Sequence, residues 1–290
     1  HGWPSAAPTE THAVGDPAAE RHAAERCDGA GGRLTLRHRT KRPRVGLFVF
    51  GGPILHESYL MVDTLRCRRF SLSLERPLVM GIVNITPDSF SDGGRFLPTE
   101  EAIAHAHRLV EQGADLVDLG AESTRPGAAP TDERTELARL VPVLDALRDL
   151  QVPISVDTMK PEVMRAAIAS GAAMINDINA FRAPGAIEAV ASADVAVCVM
   201  HMQGEPRTMQ HDPQYADVVA EVRTFLEARV AVLRSAGVAV ERIVIDPGFG
   251  FGKAVEHNLA LLRRLDAIAA LGLPVLAGWS RKASLGRITG

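Results

Sequence analysis

Seven short apolar stretches recur between residues 78 and 277, and each of the first six is followed by a stretch typical of a helix. Apolar residues do not alternate with polar ones in these stretches, which is typical of parallel strands buried on both faces. The repeat predicts a parallel sheet covered by helices, and its count and spacing favour a TIM (β/α)8 barrel over an open doubly wound sheet. The predicted strands are residues 78–83, 115–119, 154–156, 173–175, 195–200, 243–245 and 274–277.

The two ends of the chain depart from this repeat. Residues 66–74 alternate enough to predict a short hairpin that caps the barrel. Residues 1–60 are rich in Ala, Gly, His, Pro and Arg, and we predict a disordered extension there. The barrel domain is then 61–290, and we expect it to be incomplete because no eighth strand follows the seventh.

Composition and charge exclude several classes of protein. A net charge of -3 gives no general attraction to nucleic acids or to anionic membranes. Cys27, Cys67 and Cys198 are scattered and odd in number, which argues against a disulfide framework and favours a reducing compartment. No apolar run approaches the roughly 20 residues that cross a bilayer. We therefore expect a soluble, cytoplasmic protein.

Polar side chains directly follow six of the seven predicted strands. In a barrel these positions converge at the carboxyl-terminal face, where such folds bind their ligands. Burying them without partners would be costly, so together they predict a polar ligand pocket. The second strand reaches the polar residues 122–125 after a glycine step. The residues that follow the other strands are Asn84, Asp157, Asn176, His201, Asp246 and Ser280 with Lys282.

The residue types in this pocket favour binding over covalent catalysis. The chain contains neither a G-x-S-x-G nucleophile elbow nor an H-E-x-x-H zinc motif. Asp157 and Asp246 can accept hydrogen bonds and Asn176 can both donate and accept, as the edge of a heterocycle requires. Lys282 supplies positive charge for an anionic partner.

A glycine-rich stretch at 248–253 resembles a P-loop, but the spacing is one residue short. Ala254 also stands where that motif needs a hydroxyl, so a nucleotide site is disfavoured. The glycines instead allow the backbone and Phe251 to approach a flat ligand closely.

Seven motifs in residues 62–290 resemble those of the dihydropteroate synthases and occur in the order of that family. They are MGIVNITPDSFSDGG (80–94), ESTRPG (122–127), SVDT (155–158), IND (175–177), MHMQG (200–204), DPGFGFGK (246–253) and SRK (280–282). The resemblance implies a folate-pathway transferase that moves an alkyl group other than methyl. In that reaction 4-aminobenzoate attacks the methylene of 7,8-dihydropterin-6-ylmethyl diphosphate, which gives 7,8-dihydropteroate and diphosphate.

The resemblance also implies roles for individual residues. The pterin diphosphate would be held by Thr124, Asp157, Asn176, Met200, Asp246, Phe251, Gly278 and Lys282. Arg125, Pro126 and Ser280 would frame 4-aminobenzoate and the sulfonamides that imitate it. Thr86, Pro87, Asp88, Ser89 and Phe90 would belong to a mobile loop that closes over the site. Asn84 would bind Mg²⁺ together with diphosphate oxygens, which is acceptable chemistry for a hard cation.

The chain departs from the family pattern at both ends. Met61 stands where the family begins, and no residues match the Arg-x-His motif that clamps diphosphate in the family's last strand. The final helices that form the family's homodimer are also unmatched, so activity and dimerisation of this chain stay open. The alternatives are a non-catalytic pterin-binding remnant and a pterin-dependent corrinoid methyltransferase. The latter is not expected to carry both the 84–94 loop and residues 280–282.

Overall fold

A computed structural model describes residues 47–50, 62–86, 97–123 and 130–279 of the chain. These residues form a closed barrel of eight strands, with a two-stranded hairpin beside it. The strands in chain order are β1 Leu47–Phe50, β2 Thr64–Cys67, β3 Phe70–Ser73, β4 Leu78–Asn84, β5 Leu116–Gly120, β6 Ile154–Asp157, β7 Met174–Asp177, β8 Ala196–Met200, β9 Ile243–Asp246 and β10 Val275–Ala277. In this part of the chain, no helix has the length and apolar character needed to span a membrane.

The strands β4 to β10 confirm the seven that were predicted from sequence. They run parallel, and from β4 to β10 each pairs with the next strand along the chain. The hairpin β2–β3 confirms the predicted cap. Its side chains Leu65 and Cys67 belong to the same buried cluster as Met80 and Leu116, so the hairpin closes the amino-terminal end of the barrel.

Helices follow the parallel strands and cover the barrel. They are α1 Leu97–Glu111, α2 Glu133–Ala146, α3 Pro161–Ala169, α4 Ala186–Ala191, α5 Val218–Ser235, α6 Val255–Arg263 and α7 Leu265–Ala269. The single helix predicted for residues 255–271 is divided, because Arg264 has a non-helical backbone with φ −119° and ψ 35°. The start of α2 is fixed by Asp132, whose side chain accepts a hydrogen bond from the backbone N–H of Thr135.

A strand from the amino-terminal extension closes the barrel. β1 lies antiparallel between β10 and β4, where Phe48 pairs with Ala277 on one side and Val79 on the other. The expectations of a disordered extension through residue 60 and of an empty eighth position are therefore wrong at Leu47–Phe50. The physical reason is that two open sheet edges carry unpaired N–H and C=O groups, and an extended run rich in Val and Phe can pair with both.

Alternating side chains divide the core into two layers. From β5, the side chains of Val117 and Leu119 point outward and pack in the cluster that includes the helix residues Leu140 and Leu144. Leu116 points inward and packs with Met174 and other inward-facing residues near the hairpin. Toward the carboxyl-terminal end, the inward positions become polar, which is where the site lies.

We expect Val49→Pro to destabilise the barrel by about 1–3 kcal/mol, because proline lacks the N–H that a strand flanked on both sides contributes to its neighbours. Urea unfolding followed by circular dichroism measures the change. Val49→Ala keeps the backbone N–H and is the matched control. Equal unfolding free energies for the two variants would show that backbone pairing by β1 adds nothing to stability.

Candidate active site

Backbone pairing places polar residues from adjacent strands in one row at the carboxyl-terminal end of the barrel. Asn84 pairs with Gly120, Gly120 with Asp157, and Asp157 with Asn176. A Cβ built on Gly120 would lie 3.8 Å from both Asn84 Oδ1 and Asp157 Oδ2. The two side-chain oxygens therefore border the same small space beside Gly120.

Asn176 presents a buried acceptor to this end of the barrel. Its Oδ1 atom is shielded from solvent and has no hydrogen-bond partner among the residues that the structure describes. A buried acceptor without a donor is costly, and a ligand N–H would remove that cost. The next residue, Asp177, faces away and builds the following turn, where its carboxylate accepts from the N–H groups of Asn179 and Phe181 at 2.7 Å.

Asp246, at the end of β9, supplies a second carboxylate to the carboxyl-terminal end of the barrel. It pairs with Met200 in the sheet, and its Oδ1 atom accepts a hydrogen bond of 2.6 Å from the N–H of Gly248. Its backbone oxygen accepts from the N–H of His201 at 3.0 Å. The bond from Gly248 orients the carboxylate, and Asp246 is almost completely buried.

Apolar side chains form a wall beside these acceptors. Met200 belongs to a small cluster in which Met202 and Met209 are buried and Phe251 packs against them. Methionine and phenylalanine side chains suit the face of a flat ring, because thioether groups adapt their shape and contact aromatic rings favourably. Gly278 is buried just beyond β10.

Six of the residues predicted to bind the pterin diphosphate are described, and they lie at or just beyond the carboxyl-terminal ends of the strands: Asp157, Asn176, Met200, Asp246, Phe251 and Gly278. Asn84 is exposed at the rim, and Thr86 is half-buried two residues further along. The predictions for Thr124, Arg125, Pro126, Pro87, Asp88, Ser89, Phe90, Ser280 and Lys282 lie outside the described residues and stay predictions.

Two inward-facing polar residues were not predicted. Asp118 in β5 pairs with Ser155 in β6, and both are buried. Burial raises the pKa of the Asp118 carboxyl, and the nearby side chains of Ser155 and Asn176 oppose that rise. Asp118 Oδ1 and Ser155 Oγ form no full hydrogen bond in the described part of the chain. The available signal was an aspartate in the middle of an otherwise apolar strand.

His201 follows a strand, which predicted that it would face the ligand pocket, but its ring instead contacts Lys253 and Phe225. Its ring is buried, lies edge-on to Phe225 with centroids 4.9 Å apart, and its Nδ1 atom is 2.9 Å from Lys253 Nζ. Since a lysine ammonium can only donate, Nδ1 is the acceptor and the imidazole is neutral. Burial, with a further contribution from the charge of Lys253, lowers the pKa of His201 to about 3.

Lys253 organises the glycine-rich segment and does not face an external phosphate. Its buried Nζ donates to the backbone oxygens of Gly248 and Phe251 at 2.9 and 3.0 Å, and also contacts the oxygen of His201 at 3.2 Å. The inference that this segment is not a nucleotide-binding P-loop is consistent with these contacts. The lysine instead holds the backbone that presents Phe251.

At the carboxyl-terminal end of the barrel, residues from the loops that follow β5, β6, β7 and β8 line a cavity of about 560 Å³. Its walls carry both charges and apolar groups. They include Glu122, Met159, Asn179, Arg182, Met202 and Arg207. The site therefore combines a polar floor inside the barrel with a larger space at the rim, as two adjoining ligands would need.

We expect Gly248→Ala to lower the free energy of unfolding by about 1–3 kcal/mol more than Gly237→Ala. Both glycines have positive φ, at +70° and +91°, so both substitutions strain the backbone. A Cβ at Gly248 would lie 1.9 Å from the oxygen of His201, whereas nothing lies within 4 Å at Gly237. Urea unfolding measures both variants, and equal losses would show that the close approach at Gly248 is not restrictive.

The pH dependence of stability tests the neutral His201. Between about pH 6.5 and pH 3 the unfolded chain protonates this residue and the folded chain does not, so acid removes about 1.4 kcal/mol per pH unit. His201→Asn keeps an acceptor for Lys253 and cannot titrate. We expect the stability advantage of wild type over this variant to shrink as the pH falls through that range. A pH-independent difference in urea unfolding would contradict this, and groups common to both proteins cancel.

The sequence of this chain is similar to those of known pterin-binding enzymes. Residues 80–290 match the family model described as pterin binding enzyme. The chain is 49% identical over 219 residues to dihydropteroate synthase of Escherichia coli, covering 75% of this chain and 78% of that protein.

Solved structures give the same result. The Xanthomonas albilineans enzyme with 4-aminobenzoic acid has a TM-score of 0.74 and 53% identity, covering 79% of this chain and 82% of that one. The Burkholderia cenocepacia enzyme complexed with 7,8-dihydropteroate has a TM-score of 0.71 and 52% identity, covering 80% and 82%. With this identity, coverage and the geometry above, the chain belongs to the dihydropteroate synthase family of pterin-binding enzymes.

Proposed function

We propose that this chain condenses 4-aminobenzoate with 7,8-dihydropterin-6-ylmethyl diphosphate to form 7,8-dihydropteroate and diphosphate, a step of folate biosynthesis. The observation that carries the proposal is the set of acceptors at the carboxyl-terminal end of the barrel: the carboxylates of Asp157 and Asp246 and the unpartnered Oδ1 of Asn176. A dihydropterin carries several N–H donors on one flat ring, and the adjoining wall of Met200 and Phe251 suits its face.

The reaction does not require a protein nucleophile. The amine of 4-aminobenzoate attacks the methylene carbon, a C–N bond forms, the C–O bond to diphosphate breaks, and the amine loses a proton. Because the nucleophile arrives with the substrate, the protein has to orient two ligands and stabilise the departing negative charge. Asp157, Asn176 and Asp246 would fix the pterin ring, so that its methylene faces the rim where the second ligand enters.

We propose Asn84 and Asp157 as the residues that would border a Mg²⁺ ion carried with the diphosphate. Their side-chain oxygens flank the space beside Gly120, and a hard cation accepts amide and carboxylate oxygens. The described residues contain no cluster of three or more His, Cys, Asp or Glu side chains suited to a metal, so phosphate oxygens and water would complete the coordination. When bound, the ion would offset the charge of the leaving diphosphate.

Three finer expectations belong to this proposal. Lys282 and Thr124 would help to hold the pterin diphosphate, and Arg125, Pro126 and Ser280 would frame 4-aminobenzoate. The segment from Thr86 onward would close over the ligands. A homodimer stays a prediction, for which light scattering of the purified protein is the direct measurement.

We expect the full chain to release diphosphate only with both substrates and Mg²⁺ present, and to stop when EDTA is added. Asp157→Asn should raise the KM for the pterin substrate by about tenfold to a hundredfold, as loss of a hydrogen bond to a charged group does. The KM for 4-aminobenzoate should change less than about twofold, since that ligand lies at the rim.

Asp149→Asn is the matched control, because Asp149 is exposed in the turn that precedes β6, at the opposite end of the barrel from the site. Pterin binding without turnover would contradict the proposal and support the non-catalytic remnant. Methyl transfer to a corrinoid would support the other alternative. An equal rise in both KM values for Asp157→Asn would contradict the assignment of Asp157 to the pterin.

A further inference from the structure

A partly buried lysine, Lys160, joins two carboxylates behind the rim of the site. Lys160 Nζ lies 2.6 Å from Glu122 Oε2 and 2.5 Å from Glu136 Oε2. The side chains are 20%, 11% and 0% exposed in the order Lys160, Glu122 and Glu136. Ion pairs so short and so shielded from water are much more strongly coupled than the exposed pairs on the surface of this protein.

The three residues connect separate parts of the barrel. Glu122 lies two residues beyond β5, Lys160 immediately precedes α3, and Glu136 lies in the first turn of α2. Since α2 already has Asp132 as its cap, the start of the helix does not depend on Glu136. The connection therefore links the loop after β6, which follows Asp157, to the segment that leads from β5 to α2.

Glu122 also ties together the two ends of that segment. While Oε2 pairs with Lys160, Oε1 accepts a hydrogen bond of 2.8 Å from the backbone N–H of Thr131, nine residues further along. At the entry to the segment, Arg139 donates to the backbone oxygen of Ala121 at 2.8 Å. One carboxylate, that of Glu122, thus connects the described ends of the segment to Lys160.

The network depends on the positive charge of Lys160. Burial by itself would lower the pKa of Lys160, but the hydrogen bonds and charges of Glu122 and Glu136 raise it. Lys160 alone offsets the buried charge of Glu136 among the described residues. The second oxygen of that carboxylate, Oε1, is buried there without a hydrogen-bond partner. Buried ion pairs add little net stability compared with apolar side chains, although breaking one is costly. A role in positioning accounts for retaining the three charges.

From these contacts we propose that Lys160 is a positioning residue: through Glu122 and the N–H of Thr131 it fixes residues 121–123 and 130–131 at the rim cavity, and thereby sets the binding of 4-aminobenzoate without contacting it. The substrate part of this inference rests on the proposed function, in which 4-aminobenzoate lies at the rim of the barrel. Glu122 and Met159, the neighbour of Lys160, both line the rim cavity. Movement of either side chain would therefore change the shape of the cavity wall.

Hydrogen exchange on the unliganded protein tests the positioning step directly and does not depend on activity. In Lys160→Met, the N–H of Thr131 should exchange about tenfold faster or more, because Glu122 is no longer held in place to accept it. Amides in the middle of α2, such as that of Leu140, should keep their rates and show that the change is local. Unchanged exchange at Thr131 would overturn the proposal.

Steady-state kinetics test the consequence for the substrates. Lys160→Met should raise the KM for 4-aminobenzoate about tenfold, while the pterin dissociation constant, measured without 4-aminobenzoate, stays within about twofold. The conservative variant Lys160→Arg should recover part of this loss, since it keeps the charge. Glu162→Gln removes the exposed pair with Arg165 in the first turn of α3 and should change neither value. If Lys160→Met weakened the binding of both substrates equally, the role of Lys160 would be merely structural.

A double variant separates positioning from stability. Lys160→Met leaves Glu136 buried and unpaired, whereas Lys160→Met with Glu136→Gln removes that buried charge. We expect the double variant to regain most of the melting temperature lost by Lys160→Met, and to keep the fast exchange at Thr131 and the raised KM. Recovery of all three together would overturn the proposal. If wild type shows no turnover, the proposed function fails, and the exchange measurements still decide the positioning role.

Discussion

The register of the parallel sheet is the constraint on which the site depends. Pairing of Asn84 with Gly120, Gly120 with Asp157, and Asp157 with Asn176 brings residues that are far apart in sequence into one row. A slip of one residue in any strand would turn its polar side chain outward, toward the helices. Closure of the barrel, to which β1 contributes, prevents such slips because every strand of the barrel has two neighbours.

Two lysines, the buried Lys253 and the partly buried Lys160, shape the rim by different means. Lys253 donates to backbone oxygens and to the neutral ring of His201, and so organises the glycine-rich backbone that carries Phe251. Lys160 pairs with carboxylates and joins the loops after β5 and β6. In each case an ammonium group with several donors satisfies groups that would otherwise be buried without partners.

Much of the site could be predicted from the sequence, because its signals are local. An apolar run followed by Asp157, Asn176 or Asp246 predicts a strand and a polar group at its carboxyl-terminal end. Asp118 was missed, because an inward-facing residue within a strand has the same sequence context as one that faces outward. His201 follows its strand as the others do, and only its contacts with Lys253 and Phe225 show that it serves the scaffold.

The sequence by itself determined the barrel class, the seven parallel strands and the chemistry of their polar ends, because period and composition are properties of short stretches. Only the tertiary structure decided that Leu47–Phe50 occupies the eighth position, since this pairing depends on two sheet edges from opposite ends of the barrel domain. It likewise decided the partners of Lys160, which lie 38 and 24 residues away in sequence. Contacts over such separations are set by packing, and no local pattern specifies them.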